Sequence, residues 1–243
     1  MIFDVPFMID ALGKLVKLVP LTLEITALSF VLGFVVGIFV ALVRLYRVKV
    51  LHIIADAYVA VIRGTPMLLH VYIVYYGTPK FFGFLADTTG WSVDVSGIPS
   101  VVFLIVALTI NSGAYMSEVV RSGIIAVGAG EIEAGYSIGM TTPLVFKRII
   151  LPQALEVSLP NLCNSMIAML HGSALASFVG VAEVTCMANV LAGDNWKFFE
   201  AYVAAGILYW IIAIIIEQIM LFLEKIPGKK REKAGAVQIQ MEA

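Results

Sequence analysis

Long apolar runs alternate with short polar stretches along this chain, and the runs have the length of membrane-spanning helices. A hydrocarbon core about 30 Å thick needs about 20 apolar residues in helical form. The first run extends from about Leu21 to Val43 and ends on Arg44, Arg47 and Lys49. The second follows Asp56 and reaches about Gly77, interrupted near its start by Arg63-Gly64-Thr65-Pro66, where glycine and proline predict a bend. The third covers Val101 to about Val120, the fourth about Ala154 to Val181 and the fifth about Ala201 to Leu223. Kinks are predicted in the fourth at Pro160 and at the small polar run His171-Gly172-Ser173. Thr78 to Pro99, with Asp87, Asp94, several glycines and Trp91, reads as an external loop with an aromatic anchor. At the amino terminus Phe3, Phe7, Ile9, Leu12, Leu15 and Val16 interleave with Asp4, Asp10, Lys14 and Lys17, the pattern of a weakly amphipathic segment at the interface. Glu183 to Glu200 is polar, and from Lys229 onward the chain is polar and predicted disordered. The fold class is therefore all-α: a polytopic membrane protein with an interfacial segment at 1–20, a membrane domain at 21–224 and a tail at 225–243.

Composition excludes the soluble alternative. Of 243 residues, 60% are hydrophobic and 14% charged, and the mean hydropathy is +0.97. That is too little charge to cover a soluble globule of this size. Cys163 and Cys186 lie in different segments without metal-type spacing and read as small apolar fillers, with no disulfide expected. The amino terminus lacks a basic start and a small-residue cleavage pattern, so it does not read as a removable signal peptide. Arg44, Arg47, Lys49, Arg121, Lys147, Arg148, Lys225, Lys229, Lys230, Arg231 and Lys233 fall on one side of the membrane, against Lys14, Lys17, Lys80 and Lys197 on the other. By the positive-inside rule the amino terminus is outside and the carboxyl terminus cytoplasmic. The polar stretch between the third and fourth runs then faces the cytoplasm, the side where ATP is.

That stretch, Glu131 to Pro152 within a loop at 128–152, reads EIEAGYSIGMTTPLVFKRIILP. Glu131 and Glu133 suit the first turn of a helix, where carboxylates offset the positive end of the macrodipole. Ile132, Tyr136, Gly139 and Met140 recur at helical spacing and form one face. Gly139 is a plausible stop. Thr142 and Pro143 then predict an N-cap and a first helical position for a second short helix ending near Pro152.

The same residues carry a family resemblance. Glu133, Ala134 and Gly135, then Gly139, then Ile149, Leu151 and Pro152 are similar in kind and spacing to the coupling loop of bacterial ABC importer permeases. Gly135 stands where alanine is usual, and Glu131 where glutamine is common. Arg63-Gly64-Thr65-Pro66, Gly113-Ala114-Tyr115-Met116-Ser117-Glu118 with Arg121, Gly123 and Ile124, and Leu151-Pro152-Gln153-Ala154 resemble the polar amino-acid uptake branch, the histidine, glutamine and cystine permeases. The resemblance implies a type I permease core of about five helices in the bacterial cytoplasmic membrane. It implies a second permease copy or a paralogue, two cytoplasmic ATPase subunits that hold ATP and Mg, and an external solute-binding protein. The chain would be a permease without enzymatic activity or cofactor of its own, in contact with membrane lipid and with a polar amino acid (cystine, glutamine or a basic one) and not with nucleic acid, working by alternating access that the ATPases drive through the coupling helix. Glu131, Glu133, Ala134, Gly135, Gly139 and Pro152 would couple it to the ATPase, with Glu131 paired to a basic residue there and contributing to partner choice.

Within the spans, Arg63 and Glu118 sit near cytoplasmic ends, where an unpaired charge is costly, so a structural ion pair is expected in preference to contact with substrate. His70, Asn111, Asn161, Asn164, His171 and Ser173 are placed deeper, where polar groups face the bundle interior or a watery path. An interhelical hydrogen bond is the more economical account of any one of them, and the candidate substrate path uses His70, Asn111, Asn164, His171 and Ser173. The run His171 to Ser177 departs from the family, with histidine for the usual lysine, glycine for the acid and Ala174 for the serine. A histidine there, with an ordinary pKa of about 6.5, would allow pH-sensitive transport.

No phosphate-binding loop of the G-x-x-x-x-G-K-[ST] type occurs, so the energy must come from a partner. No H-E-x-x-H, nucleophile elbow or clustered His/Cys set supports a hydrolase or metal centre. An ion-coupled secondary transporter and a non-transporting scaffold subunit remain as other classes. About five spans do not divide into two inverted halves, which disfavours the first.

Overall fold

Described by the computed structural model are residues 3–91, 94–95 and 97–242, with side chains to 222. The expected tail at 225–243 lies beyond those side chains. Asp4 opens the first helix, α1 (Val5–Leu15), by accepting the Phe7 N–H at 2.9 Å, with Pro6 in the first turn where its missing donor costs nothing. A single 3₁₀ turn leads into α2 (Val19–Leu45), whose 27 residues reach about 40 Å, enough to cross a membrane. Then come α3 (Leu51–Gly64), α4 (Met67–Thr89), α5 (Ser100–Ile125) and the short α6 (Ala129–Ser137). The chain continues through α7 (Thr142–Val145), α8 (Leu151–Ser173), α9 (Val184–Asn195) and α10 (Phe198–Glu242). Among the described residues, four helical segments are long and apolar enough to span a membrane, five if α3 and α4 count as one broken span.

Several sequence expectations are corrected. The second span starts before Asp56, with α3 at Leu51, and the bend expected at Arg63-Gly64-Thr65-Pro66 is a full break: α3 and α4 are turned 112° from each other at Thr65-Pro66, because glycine ends one helix and proline can only begin the next. Gly77-Thr78-Pro79 does not start an external loop, since α4 continues to Thr89 and stops on Gly90 at φ +73°. A proline inside a helix forfeits one N–H donor, and in a spanning helix that loss is tolerated. Residues 92–93 and 96 of that loop lie outside the described residues. The amino-terminal segment packs one side within the protein, with Ala11 and Leu15 buried against Val184, Ala188 and Ala204 of α9 and α10, and leaves Ile9 and Val16 exposed. Lys197, at the α9–α10 junction, holds the Asp4 carboxylate at 2.5 Å.

The most extensive helix contact is between α2 and α5. Its basis is small residues four apart, Gly33 and Gly37. A Cβ on Gly33 would fall 1.7 Å from Ser112 Oγ, and one on Gly37 would fall 2.7 Å from Met116 Cβ and 3.0 Å from its carbonyl carbon. The backbones can approach this closely only without side chains. Around that seam Ile25, Val71, Leu104, Leu108 and Met169 join α2, α4, α5 and α8, while Val40, Val59, Ile62 and Ala114 seat α3.

Gly37→Leu is expected to destabilise the bundle by at least the roughly 1–3 kcal/mol typical of overpacking, because the obstacle is partly backbone. Gly13→Ala, with nothing within 4 Å, should not. Unfolding temperatures in detergent measure both. The Lys197 ammonium and the Phe7 N–H hold the Asp4 carboxyl below the usual carboxylate range. A depressed acid stabilises above its unfolded pKa of about 3.9 and loses that contribution as pH falls through the lower folded value. Protection of the α1 amides, taken relative to intrinsic exchange, should therefore fall below about pH 4, and less so in Lys197→Gln.

Candidate functional site

Asn111, Ser112, Tyr115, Glu118 and Ser122 repeat along one face of α5, and Asn161, Asn164, Ser165 and Ala168 along one face of α8. With Arg63 at the end of α3 and Met67 at the start of α4 they line a cavity of about 660 Å³. Small-molecule sites fall at about 300–1,000 Å³. Asn161, Asn164 and Tyr115 are exposed, so the cavity opens at the surface of the chain, and polar side chains facing such a space suit contact with water.

At one end of this cavity Glu118 is the hub of a charge network. Its Oε1 accepts from Arg44 Nη1 at 2.7 Å, and its Oε2 accepts from Arg121 Nη2 at 2.8 Å and Nε at 3.0 Å. Arg44 also donates Nε to Asp56 at 2.6 Å, which ties α2, α3 and α5 together. Arg63, the expected partner, stands 3.6 Å from Glu118 and keeps 47% of its side chain exposed, stacked 5.7 Å above the Tyr115 ring. The predicted pair is thus the weakest arm of a larger cluster, and most donors of Arg63 remain open to the cavity. Arg44 was missed because it was read only as a topogenic charge, although α2 delivers it to α5.

His70 does not line the cavity; it positions a residue that does. Asn111 Nδ2 donates to His70 Nδ1 at 2.9 Å, so the ring proton sits on Nε2 and faces Thr65 Oγ1 at 2.6 Å. Thr65 in turn donates to Val61 C=O at 2.7 Å. The chain of donors runs from the α5 wall to the α3–α4 break. Asn111 is 2% exposed, and its Oδ1 has no partner among the described residues.

His171 and Ser173, placed with the substrate path by sequence, lie elsewhere. His171 is exposed beside a smaller recess with Thr185, Tyr202 and Tyr209. Ser173 is fully buried, donates to Leu170 C=O at 2.7 Å and meets Tyr209 Oη at 3.5 Å. Tyr209 leads to a group that sequence reasoning left in a polar loop. Glu183 is completely buried and caps α9, accepting from the Thr185 N–H at 2.8 Å, the Cys186 N–H at 3.0 Å and Tyr209 Oη at 2.8 Å. The only sequence signal was its place before Thr185 at a helix start.

In the loop, α6 ends on a Schellman motif: Met140 N–H bonds Gly135 C=O, Gly139 N–H bonds Tyr136 C=O, and Gly139 adopts φ +82°. The expected face is rotated, since Gly135 is the buried position while Tyr136 and Ile138 point outward at 45% and 76% exposure. A Cβ on Gly135 would meet Ile149 Cδ1 at 2.6 Å, so glycine in place of alanine is matched to Ile149. Glu131 accepts from Gln153 of α8. Thr141, not Thr142, is the cap position, and Pro143 follows in the first turn. The second helix does not end near Pro152 either. A π turn, in which Leu151 N–H reaches back to Phe146 C=O, carries it through that proline into α8.

The family profile of binding-protein-dependent transport system inner membrane components matches residues 33–226. A probable amino-acid ABC transporter permease of Vibrio harveyi is 33% identical over 222 residues, covering 91% of this chain and 95% of that protein. An L-cystine transport system permease of Bacillus subtilis is 32% identical, covering 92% and 91%. The crystal structure of an amino acid ABC transporter with histidines superposes with a TM-score of 0.79 at 31% identity, covering 93% and 99%. Inward-facing conformations of a methionine ABC transporter share the fold at a TM-score of 0.65 and 21% identity.

Glu118→Gln leaves Arg44, Arg63 and Arg121 without their common anion and is expected to cost about 2–3 kcal/mol. Arg63→Gln, half-exposed and at long range, should cost under about 1 kcal/mol. Thermal unfolding of the purified variants in detergent ranks the two; equal losses would make Arg63 the principal partner after all.

Proposed function

The chain belongs to the binding-protein-dependent transport system inner membrane component family, the permease subunits of ABC transporters, and on that footing we propose that it forms the path by which a polar amino acid is imported. The observation that carries this reading is the polar cavity between α3, α5 and α8. An amino acid presents a carboxylate, an ammonium and one side chain. Arg63, whose donors are largely free, suits the carboxylate in a bidentate geometry. Asn161, Asn164 and Ser165 supply acceptors for the ammonium and donors for a polar side chain. Glu118 is the one carboxylate in the lining and is shared by three arginines. A neutral side chain such as that of glutamine or cystine therefore suits the cavity better than a cationic one.

The chain carries no phosphate-binding loop, so ATP and Mg are held by two partner ATPases, and the energy enters through α6. Tyr136 on α6 and Ile138 just after it are large apolar side chains left uncovered beside Glu131, Glu133 and Ala134, which makes this the surface for an ATPase groove. ATP-driven closure of the ATPases would move α6, and through the unbroken α7–α8 rod it would move the α8 wall of the cavity. The complex further includes a second permease copy or a paralogue and a solute-binding protein on the outer face. The amino terminus is placed outside and the loop in the cytoplasm of the bacterial cytoplasmic membrane, in keeping with the distribution of Lys and Arg.

Ile138→Asp alters an exposed side chain and should leave the bundle intact, whereas a bulky residue at Gly139 meets no neighbour within 4 Å of a Cβ but strains the left-handed cap at φ +82°, a disturbance confined to the end of α6. Both are expected to abolish copurification of an ATPase from native membranes and ATP-dependent amino-acid uptake, with the chain still inserted. Uptake that follows an ion gradient without ATP would instead indicate a secondary transporter, and no uptake with a normal complex a scaffold.

A further inference from the structure

A second polar pocket, of about 370 Å³, lies outside the transport path, where the ends of α2 and α5 meet the start of α3. Arg44, Arg47, His52, Asp56 and Arg121 wall it. Three guanidinium groups face a single carboxylate there. Arg44 and Arg121 are partly neutralised by Asp56 and Glu118, but the side chain of Arg47 has no partner among the described residues. The turn that brings Arg47 to the pocket is held in an uncommon backbone form, with φ +47° at Arg47 and φ +53° at the β-branched Val50. Such conformations persist where the surrounding structure enforces them and gather at binding sites.

Beside this basic pocket runs an apolar surface. Leu51, Ile53, Ile54 and Val61 of α3 are 48–62% exposed, while Ala55, Val59 and Ile62 pack inward. Because α3 is turned 112° from α4, it lies close to the membrane plane when α4 crosses near the normal. An in-plane helix with an apolar outer face and arginines at its beginning matches an amphiphile with an anionic head. We propose that the pocket holds the phosphate of an anionic phospholipid of the leaflet on this side, with its acyl chains along the outer face of α3. Arginine forks recognise phosphate oxygens bidentately, and basic pockets at helix ends on the cytoplasmic side suit anionic headgroups. A free phosphate would leave the apolar surface unused.

Native mass spectrometry of the full chain in mild detergent, titrated with phosphatidylglycerol or phosphatidylcholine, tests this. Phosphatidylglycerol is expected to be retained in preference. Arg47→Gln should weaken that retention about fivefold, near the worth of one basic residue at an anionic surface, with phosphatidylcholine unaffected. Lys49→Gln, on the same turn but outside the pocket, should leave retention unchanged. Equal retention of the two lipids, no effect of Arg47→Gln, or an equal effect of Lys49→Gln would overturn the proposal. Displacement of phosphatidylglycerol by millimolar inorganic phosphate would also overturn it and assign the pocket to a free anion. Arg47 is exposed and unpaired, so the unfolding temperature of Arg47→Gln should match the parent chain.

Discussion

Backbone-to-backbone contact between α2 and α5 is the constraint on which the other helices depend. In a membrane the hydrophobic effect does not drive helices together, so association rests on close packing and interhelical hydrogen bonds. Gly33 and Gly37 provide that closeness against Ser112 and Met116, and Ser112 Oγ adds a bond to Ser29 C=O at 3.1 Å. With α2 fixed on one side of α5, the polar face of α5 is turned toward α8, and the cavity opens there.

The same seam explains the charge network. Once α2 is held against α5, the end of α2 places Arg44 over Glu118, and α3 brings Asp56 to the other edge of the same guanidinium. The Arg44 pair and the short-range Arg121 fork consume the acceptors of Glu118. Arg63 is left half-exposed, lining the cavity with most of its donors free. A cluster that neutralises its own acid leaves one cation facing the cavity.

At the opposite end, Glu183 organises the outer helices. Its carboxylate takes two N–H donors from the first turn of α9 and a hydroxyl from α10, while Thr22 of α2 lies at 3.5 Å. A buried carboxylate persists only when so satisfied. Ser173, expected in the substrate path, belongs to this cluster through Tyr209.

Periodicity and charge in the sequence determined the all-helical membrane class, the approximate spans and the polar loop, because a bilayer demands long apolar helices regardless of what packs beside them. Gly139 was legible as a stop because a left-handed residue is a local requirement. The break at Thr65-Pro66 was visible for the same reason, although its 112° turn was not. Other local signals misled: Gly77-Thr78-Pro79 and Pro152 look like boundaries, yet the membrane penalty for a free backbone and one π turn carry the helices through them. What only the tertiary structure decided is which polar groups meet. Arg44 with Glu118, His70 with Asn111 and Glu183 with Tyr209 join residues 74, 41 and 26 positions apart. A helix repeats its faces identically along its length, and nothing local says which neighbour a face will find.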